Sequence, residues 1–290
     1  MSKLLCVLID GLRADAMACA HVHCFDRIAR EGLVRGIEPM LPHLSLPTLV
    51  SLFTSQPPEE HGVLSNNGDA RIAPQAVSLF SLLRYRHQNL SALYSSDNIR
   101  LLFPLGCLQT GLFINSQGIR NVDRELAQLA GQHLQKEQPD FCLLQLQGVA
   151  IGGTHFGFHS EPYLESIEQA DQSLELVLEH LALVGLLQDY TIMVLSSHGG
   201  RRQSNNNTQE QSLLPLMCSG PGISHDPERN RSVSLLDLAP TMARILGLAP
   251  HPDWQGDAVE AMLRQPVLEL IAQEREITTW HASRHQDLAA

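Results

Sequence analysis

Short apolar runs recur along this chain, separated by stretches of helical period, and that alternation constrains the fold more than any other feature. Residues 4–9, 90–94, 140–146, 190–195 and 213–217 are rich in Leu, Val, Ile and Cys, with the length of strands. Stretches 15–32, 76–86, 122–137, 166–184 and 234–246 place apolar residues near helical spacing. Strands separated by helices predict an α/β fold, a mostly parallel central sheet with helices on both faces. Gly32 and Gly247 stand where helices should end. A Pro-rich link, 39–47, leads into the apolar segment 48–53. With 43% hydrophobic residues the chain has material for a sizeable core, and no repeat or linker interrupts it. Residues 1–290 therefore read as one domain, with 67–121 as a segment that shapes a pocket.

The charge balance narrows the partners. Acidic residues outnumber basic ones 31 to 20, giving a net charge of −11. This argues against nucleic acid, whose phosphates need clustered Lys and Arg. Aromatic residues, at 5%, offer few stacking platforms. The run 4–9 is too short for a signal-peptide core, and no apolar window is long enough to span a membrane. Six scattered cysteines without a CxxC pair fit a reducing, cytoplasmic setting. Cys19-x-His21-x-His23-Cys24 has ligand-like content, but it continues a helical pattern through Phe25 and Ile28. Nothing in the sequence fixes the oligomeric state.

Fourteen histidines beside surplus carboxylates invite a metal-enzyme reading, which has to be tested position by position. Ligands of open α/β sheets sit at the carboxyl ends of strands. Asp10 falls there, after Val7-Leu8-Ile9 and before Gly11, able to ligate a metal or to cap a helix. Ser45, in Pro42-His43-Leu44-Ser45-Leu46-Pro47-Thr48, opens an apolar helix. Its hydroxyl can face an anion at the helix end or serve as an ordinary N-cap. His198 directly follows the strand 192–195 in Ser196-Ser197-His198-Gly199-Gly200, a position for a ligand, a base or a structural imidazole.

In this order, these residues resemble the alkaline phosphatase superfamily, most closely its type I phosphodiesterase/nucleotide pyrophosphatase branch. Leu8-Ile9-Asp10-Gly11-Leu12-Arg13 is similar to the opening metal-binding strand. Ser45-Leu46-Pro47-Thr48 followed by His61-Gly62-Val63 is similar to the nucleophile helix and its trailing signature, and Asn66 stands where the branch has an Asn that holds a phosphoryl oxygen. Gly220-Pro221-Gly222-Ile223 and residues 235–241 resemble the closing strand and helix. The resemblance implies an alkaline-phosphatase-like fold and hydrolysis of phosphate mono- or diesters, with Ser45 as nucleophile. Asp10, Ser45 and His198 would ligate one metal, and Asn66 with the Ser45 backbone N–H would steady the phosphoryl oxygens. Such chemistry uses two cations that clamp the attacking and leaving oxygens.

The resemblance breaks at the ligands. The family's Asp, two residues, then Gly-His falls on Val149-Ala150-Ile151-Gly152-Gly153-Thr154-His155 here, so Ala150 replaces the carboxylate and Thr154 the imidazole. Shifting the register by one residue recovers His155 as a ligand but brings Ile151 to the carboxylate position; His159 is a further recruit. The Ser-Asp-His-Gly of the family becomes Ser196-Ser197-His198-Gly199. A two-metal site is therefore not expected, and one divalent ion at most, Zn²⁺ before Mn²⁺, fits what is left. Two readings follow. One is a diverged phosphoesterase that uses one metal, or Ser45 with His198 and a charged loop bearing Arg201 and Arg202. The other is a catalytically inactive pseudoenzyme that binds a small phosphorylated ligand or a protein partner.

Overall fold

The computed structural model describes residues 3–41, 44–66, 71–115, 121–199, 213–225 and 232–264. Arg201 and Arg202 lie outside these residues. Strand β1 (Lys3–Ile9) leads to two short helices, α1 (Ala14–Met17) and α2 (His23–Glu31), and then to β2 (Leu33–Glu38). Helices α3 (Ser45–Thr54), α4 (Pro58–His61) and α5 (Leu79–Tyr85) precede β3 (Leu90–Tyr94) and β4 (Thr110–Phe113). Next come α6 (Val122–Glu137), β5 (Phe141–Leu146), α7 (Gly148–Phe156), α8 (Glu161–Leu183) and β6 (Tyr190–Leu195). Strand β7 (Leu214–Ser219), the short β8 (Ser232–Ser234) and α9 (Leu238–Ile245) complete the described elements.

These eight strands form one sheet in the order β4-β3-β5-β1-β6-β7-β2-β8. All neighbours are parallel except β7, which runs antiparallel to both β6 and β2. The mostly parallel sheet expected from the strand–helix alternation is thus present. Period two along β1 explains why both faces are covered: Leu4, Cys6 and Leu8 enter one apolar cluster, while Leu5, Val7 and Ile9 enter the other. Helices α3, α5 and α9 cover the first face, and α2, α6 and α8 the second. Helix α3 is buried from Leu46 to Thr54, so its sequence reads as continuously apolar rather than striped.

Four helix boundaries differ from the sequence reading: 76–86 starts only at Leu79, 166–184 starts already at Glu161, and two others change more. The expected helix 15–32 divides into α1 and α2, because Asp171 of α8 accepts from the N–H groups of Cys24 (3.2 Å) and Phe25 (2.8 Å) and starts a new helix there. The expected helix 234–246 begins only at Leu238, after β8 and a 3₁₀ turn, Leu235–Asp237. Within 67–121 the expected strand 90–94 is present as β3, and β4 is a further strand of the sheet that the sequence reading did not give.

Candidate functional site

The carboxyl ends of β1, β5 and β6 lie side by side, and polar residues following them meet there. Gly11 makes this possible. Its φ of +81° disfavours any side chain, and a Cβ would stand 2.7 Å from the Cα of Ala150. The turn after β1 therefore presses against α7, setting the Ala150 backbone against the residue that follows Asp10.

Asp10 is 4% exposed, and both carboxylate oxygens are engaged. Oδ2 accepts from Gln145 Nε2 at 2.7 Å, and Oδ1 accepts from Ser197 Oγ at 2.7 Å. The capping alternative for Asp10 does not hold, since α1 starts after Arg13 and carries no side-chain cap. Ser197 Oγ also lies 2.9 Å from His198 Nδ1. A hydroxyl has one proton, and that of Ser197 is committed to the carboxylate. Its oxygen therefore accepts from His198 Nδ1–H, which assigns the tautomer and leaves the lone pair on Nε2. Asp10 lies on the Nδ1 side of the ring, 4.0 Å from that nitrogen. The chain Asp10–Ser197–His198 thus orients an imidazole whose other nitrogen is the one able to accept.

Ser45 is the first residue of α3; the N-cap is Leu44, with no side-chain cap bond, so the ordinary N-cap alternative for Ser45 falls away. Asn66 reaches back across the sequence: its Oδ1 accepts from the Leu46 N–H at 2.9 Å. Because an N–H must meet the amide oxygen, Asn66 keeps its Nδ2 donors for another partner at the same helix end. His61 behind them is fully buried and holds α3 in place. His61 Nδ1 accepts from Val63 N–H (3.2 Å), so Nε2 donates to Ser51 Oγ (2.8 Å). Burial lowers its pKa from 6.5 to about 4, which keeps the ring neutral.

The expected site residues do not all converge. His155 is exposed, with Nδ1 at 3.0 Å from the Ile151 carbonyl of its own helix. His159 pairs instead with Asp15 at 3.2 Å. Asp15 is held by both arms of Arg13 (2.9 and 2.8 Å); burial alone would raise its pKa, but Arg13 and His159 bring it below the usual value. Arg13, 3% exposed, also reaches the Gly199 carbonyl at 3.5 Å, tying the β1 turn to the end of β6. The Cys19–Cys24 cluster is not gathered around an ion: Cys24 is in the core and Cys19 is exposed.

Sequence reasoning missed Gln145, Ser197 as a linker, and Asp123. The signal for Gln145 was a lone amide in an otherwise apolar strand, a buried polar group that requires partners. Its Oε1 accepts from Ser95 N (2.9 Å) and Ser96 N (3.1 Å), joining β3 to β1. Asp123 accepts from Gln147 N (3.0 Å) and Gly148 N (2.8 Å) at the start of α7. Burial raises its pKa to about 6, with the charge of Asp10 adding to the rise and the two N–H groups opposing it.

A pair of divalent cations does not fit this donor set. It needs several carboxylates and imidazoles, whereas Asp10 is hydrogen-bonded on both oxygens to neutral donors. Among the described residues no three His, Cys, Asp or Glu side chains gather as a metal site. No helix of the described residues is long and apolar enough to cross a membrane.

Comparisons with known proteins agree on the fold and divide on the branch. A family model described as type I phosphodiesterase/nucleotide pyrophosphatase matches residues 4–76, and one described as sulfatase matches residues 151–248. Arylsulfatase K of Mus musculus is 28% identical over 107 residues, 35% of this chain and 19% of that protein. Its counterpart in Canis lupus familiaris is 30% identical over 96 residues, 31% of this chain and 18% of that protein. The matched stretch thus spans less than a fifth of these relatives. An inactive variant of murine ectonucleotide pyrophosphatase/phosphodiesterase 5 in complex with AMP superposes with a TM-score of 0.76 at 12% identity, covering 91% of this chain and 100% of that one. A 2-O GAG sulfatase gives 0.71 at 14% identity, covering 92% and 75%. A phosphonate monoester hydrolase from Silicibacter pomeroyi gives 0.62 at 16%, covering 90% and 76%.

Proposed function

We propose that this member of the alkaline phosphatase superfamily takes a small ester of a tetrahedral oxyanion, phosphate or sulfate, at the start of α3, and transfers its phosphoryl or sulfuryl group to Ser45. The observation that carries the reading is the 2.9 Å bond from Leu46 N–H to Asn66 Oδ1, which sets an amide donor beside the Ser45 end of the helix. Asn66 Nδ2 and the Ser45 N–H would hold non-bridging oxygens where negative charge builds.

In this reading the Ser45 oxygen attacks phosphorus or sulfur, and the bond to the departing alcohol breaks. The Ser45 proton passes to His198 Nε2 and then to the alcohol oxygen; water later cleaves the seryl ester. Asp10 and Ser197 act through His198 by fixing its tautomer. The phosphate preference inferred from the sequence broadens to include sulfate, because the two family models divide the chain. As an alternative to that relay, a single Zn²⁺ or Mn²⁺ would draw on Asp10, Ser45 and His198 and would supply Lewis acidity at the ester oxygens; His198 Nε2 can serve the ion or the proton, not both. A reducing, cytoplasmic setting is part of the proposal, supported by six cysteines without a disulfide. So are a small phosphorylated or sulfated ligand as partner and the absence of nucleic-acid and membrane partners.

A second reading, a pseudoenzyme that binds the same ester without cleaving it, is favoured by an Asp10 carboxylate that is hydrogen-bonded on both oxygens to neutral donors. One experiment separates them. p-Nitrophenyl phosphate, bis-p-nitrophenyl phosphate and p-nitrophenyl sulfate are assayed with EDTA, Zn²⁺ or Mn²⁺, alongside Ser45→Ala. Turnover lost in Ser45→Ala supports the hydrolase. Ester-dependent thermal protection without turnover supports the pseudoenzyme, and neither turnover nor protection removes both.

A further inference from the structure

A separate cavity of about 470 Å³ opens over the carboxyl ends of β3 and β5, on the face covered by α6 and α8. Small-molecule sites span roughly 300–1,000 Å³. Helix α7 divides it from Asp10: Gly148 and Ile151 line the cavity, whereas Ala150 rests on Gly11. Asp123 lies in its wall, but both carboxylate oxygens are taken by the N–H groups that begin α7. The acid therefore closes a helix end, and it is the single carboxylate among the described lining residues, short of the several that a divalent cation takes.

Four of the twelve described lining residues carry primary amides, Asn121, Gln147, Gln169 and Gln172, and the Gln147 Oε1 already accepts from Ser95 Oγ at 3.4 Å. Two of these belong to a polar stripe on α8. Ser166, Gln169, Gln172 and Ser173 recur at helical spacing, beside the stripe of Tyr163, Ile167, Ala170 and Leu174 that enters the core. Ser166 and Ser173 donate to the carbonyls of Tyr163 (2.6 Å) and Gln169 (2.7 Å), so their oxygens keep acceptor lone pairs. The described lining holds one cationic side chain, Arg124, and no aromatic ring.

This chemistry discriminates among ligands. A cation would need unsatisfied carboxylates, and a nucleobase favours an aromatic face to stack on. An anion would meet a single guanidinium, with the α7 helix end already neutralised by Asp123. A sugar ring presents neighbouring hydroxyls, each donor and acceptor, and a primary amide offers a donor and an acceptor side by side. We propose that this cavity binds an uncharged sugar ring through Asn121, Gln147, Gln169 and Gln172. The site stands independently of ester chemistry at Ser45.

The test uses the full chain, titrated by calorimetry and protein NMR. Probes are the methyl glycosides of glucose, galactose, mannose and N-acetylglucosamine, with adenosine as the aromatic competitor. At least one glycoside should bind with a dissociation constant near about 1 mM, and Gln169→Leu with Gln172→Leu should weaken it by roughly tenfold or more. Both glutamines are exposed on α8, so the melting temperature should be kept; Asn121→Gly, which removes the amide and suits the residue's φ of +61°, is the second variant and should weaken the same glycoside. Ser45→Ala should leave glycoside binding unchanged, which separates this inference from the ester reading. The sugar site is overturned if no glycoside binds, if binding is unaltered in both cavity variants, or if adenosine binds more tightly than every glycoside.

Discussion

Residue 197 decides what the Asp10 carboxylate does. A hydroxyl there gives Asp10 a neutral donor and gives His198 an acceptor, so the site is held together without a cation. A carboxylate at 197 would reverse this. Two carboxylates sharing one buried spot repel, and a divalent ion is what relieves the repulsion. The double variant Ala150→Asp with Ser197→Asp should therefore melt below the wild type in EDTA and be raised by Zn²⁺ far more than the wild type is. Thermal shift and isothermal titration read this directly; equal Zn²⁺ responses would show that carboxylate loss is not what separates this site from a metal centre. Gly11 is the other residue with no substitute. Gly11→Ala has to accommodate φ of +81° and a 2.7 Å approach to the Ala150 backbone, and the turn carrying Asp10 must move. A lower melting temperature together with loss of any Ser45-dependent turnover is expected, and unaltered turnover would remove Asp10 from the site.

At the scale of elements, helix α2 is defined by a carboxylate on another helix. Its own N-cap, Val22, supplies no side-chain bond, and Asp171 takes both Cys24 and Phe25 N–H groups. Asp171→Ala should cost about 1–3 kcal/mol, since two buried donors lose their acceptor. That corresponds to a drop of roughly 2–4 °C per kcal/mol in a thermal melt for a chain of this class. Asp171→Asn, which retains one oxygen, should lie between. The same tertiary cap explains why the division of 15–32 could not be read from the sequence: the residue that starts α2 is remote in the chain. Strands 90–94 and 190–195 were legible as short apolar runs, because both of their faces are buried, and helix 122–137 by its helical spacing. Strand β2 was not, because its alternation carries Arg35, a charged side chain that the fold buries to 2% exposure. Strand β8, with three residues, is too short to show a period. Asp10, Ser45 and His198 were legible only as polar residues at element ends, which is where the structure places them. Gln145 and Asp123 were not, since their partners are set by where other strands and helices stop.

Over the whole molecule, two buried groups on opposite faces of the sheet give stability opposite dependences on pH. His61, beside Ser51 in the α3 layer, has a pKa lowered from 6.5 to about 4 by burial. Between those values the unfolded chain takes up a proton that the fold refuses, so stability is lost as pH falls from 6.5 towards 4. Asp123, in the α6 layer, has a pKa raised from 3.8 to about 6, again by burial first. Between those values the fold keeps a proton that the unfolded chain has released, so its contribution is full below 3.8 and is lost as pH rises towards 6. The windows overlap and the slopes have opposite sign, which flattens the wild-type profile. Asp171, also raised by burial, adds to the Asp123 slope, whereas Asp15, lowered from 3.8, has the sign of His61 but acts only below 3.8. Asp123→Asn should therefore steepen the loss of melting temperature as pH falls from 6.5 to 4, whatever its offset at neutral pH. His61→Gln should shift the slope the other way, leaving the acid side favoured relative to wild type. Parallel melting profiles for wild type and both variants across that range would mean that neither group titrates as its burial requires.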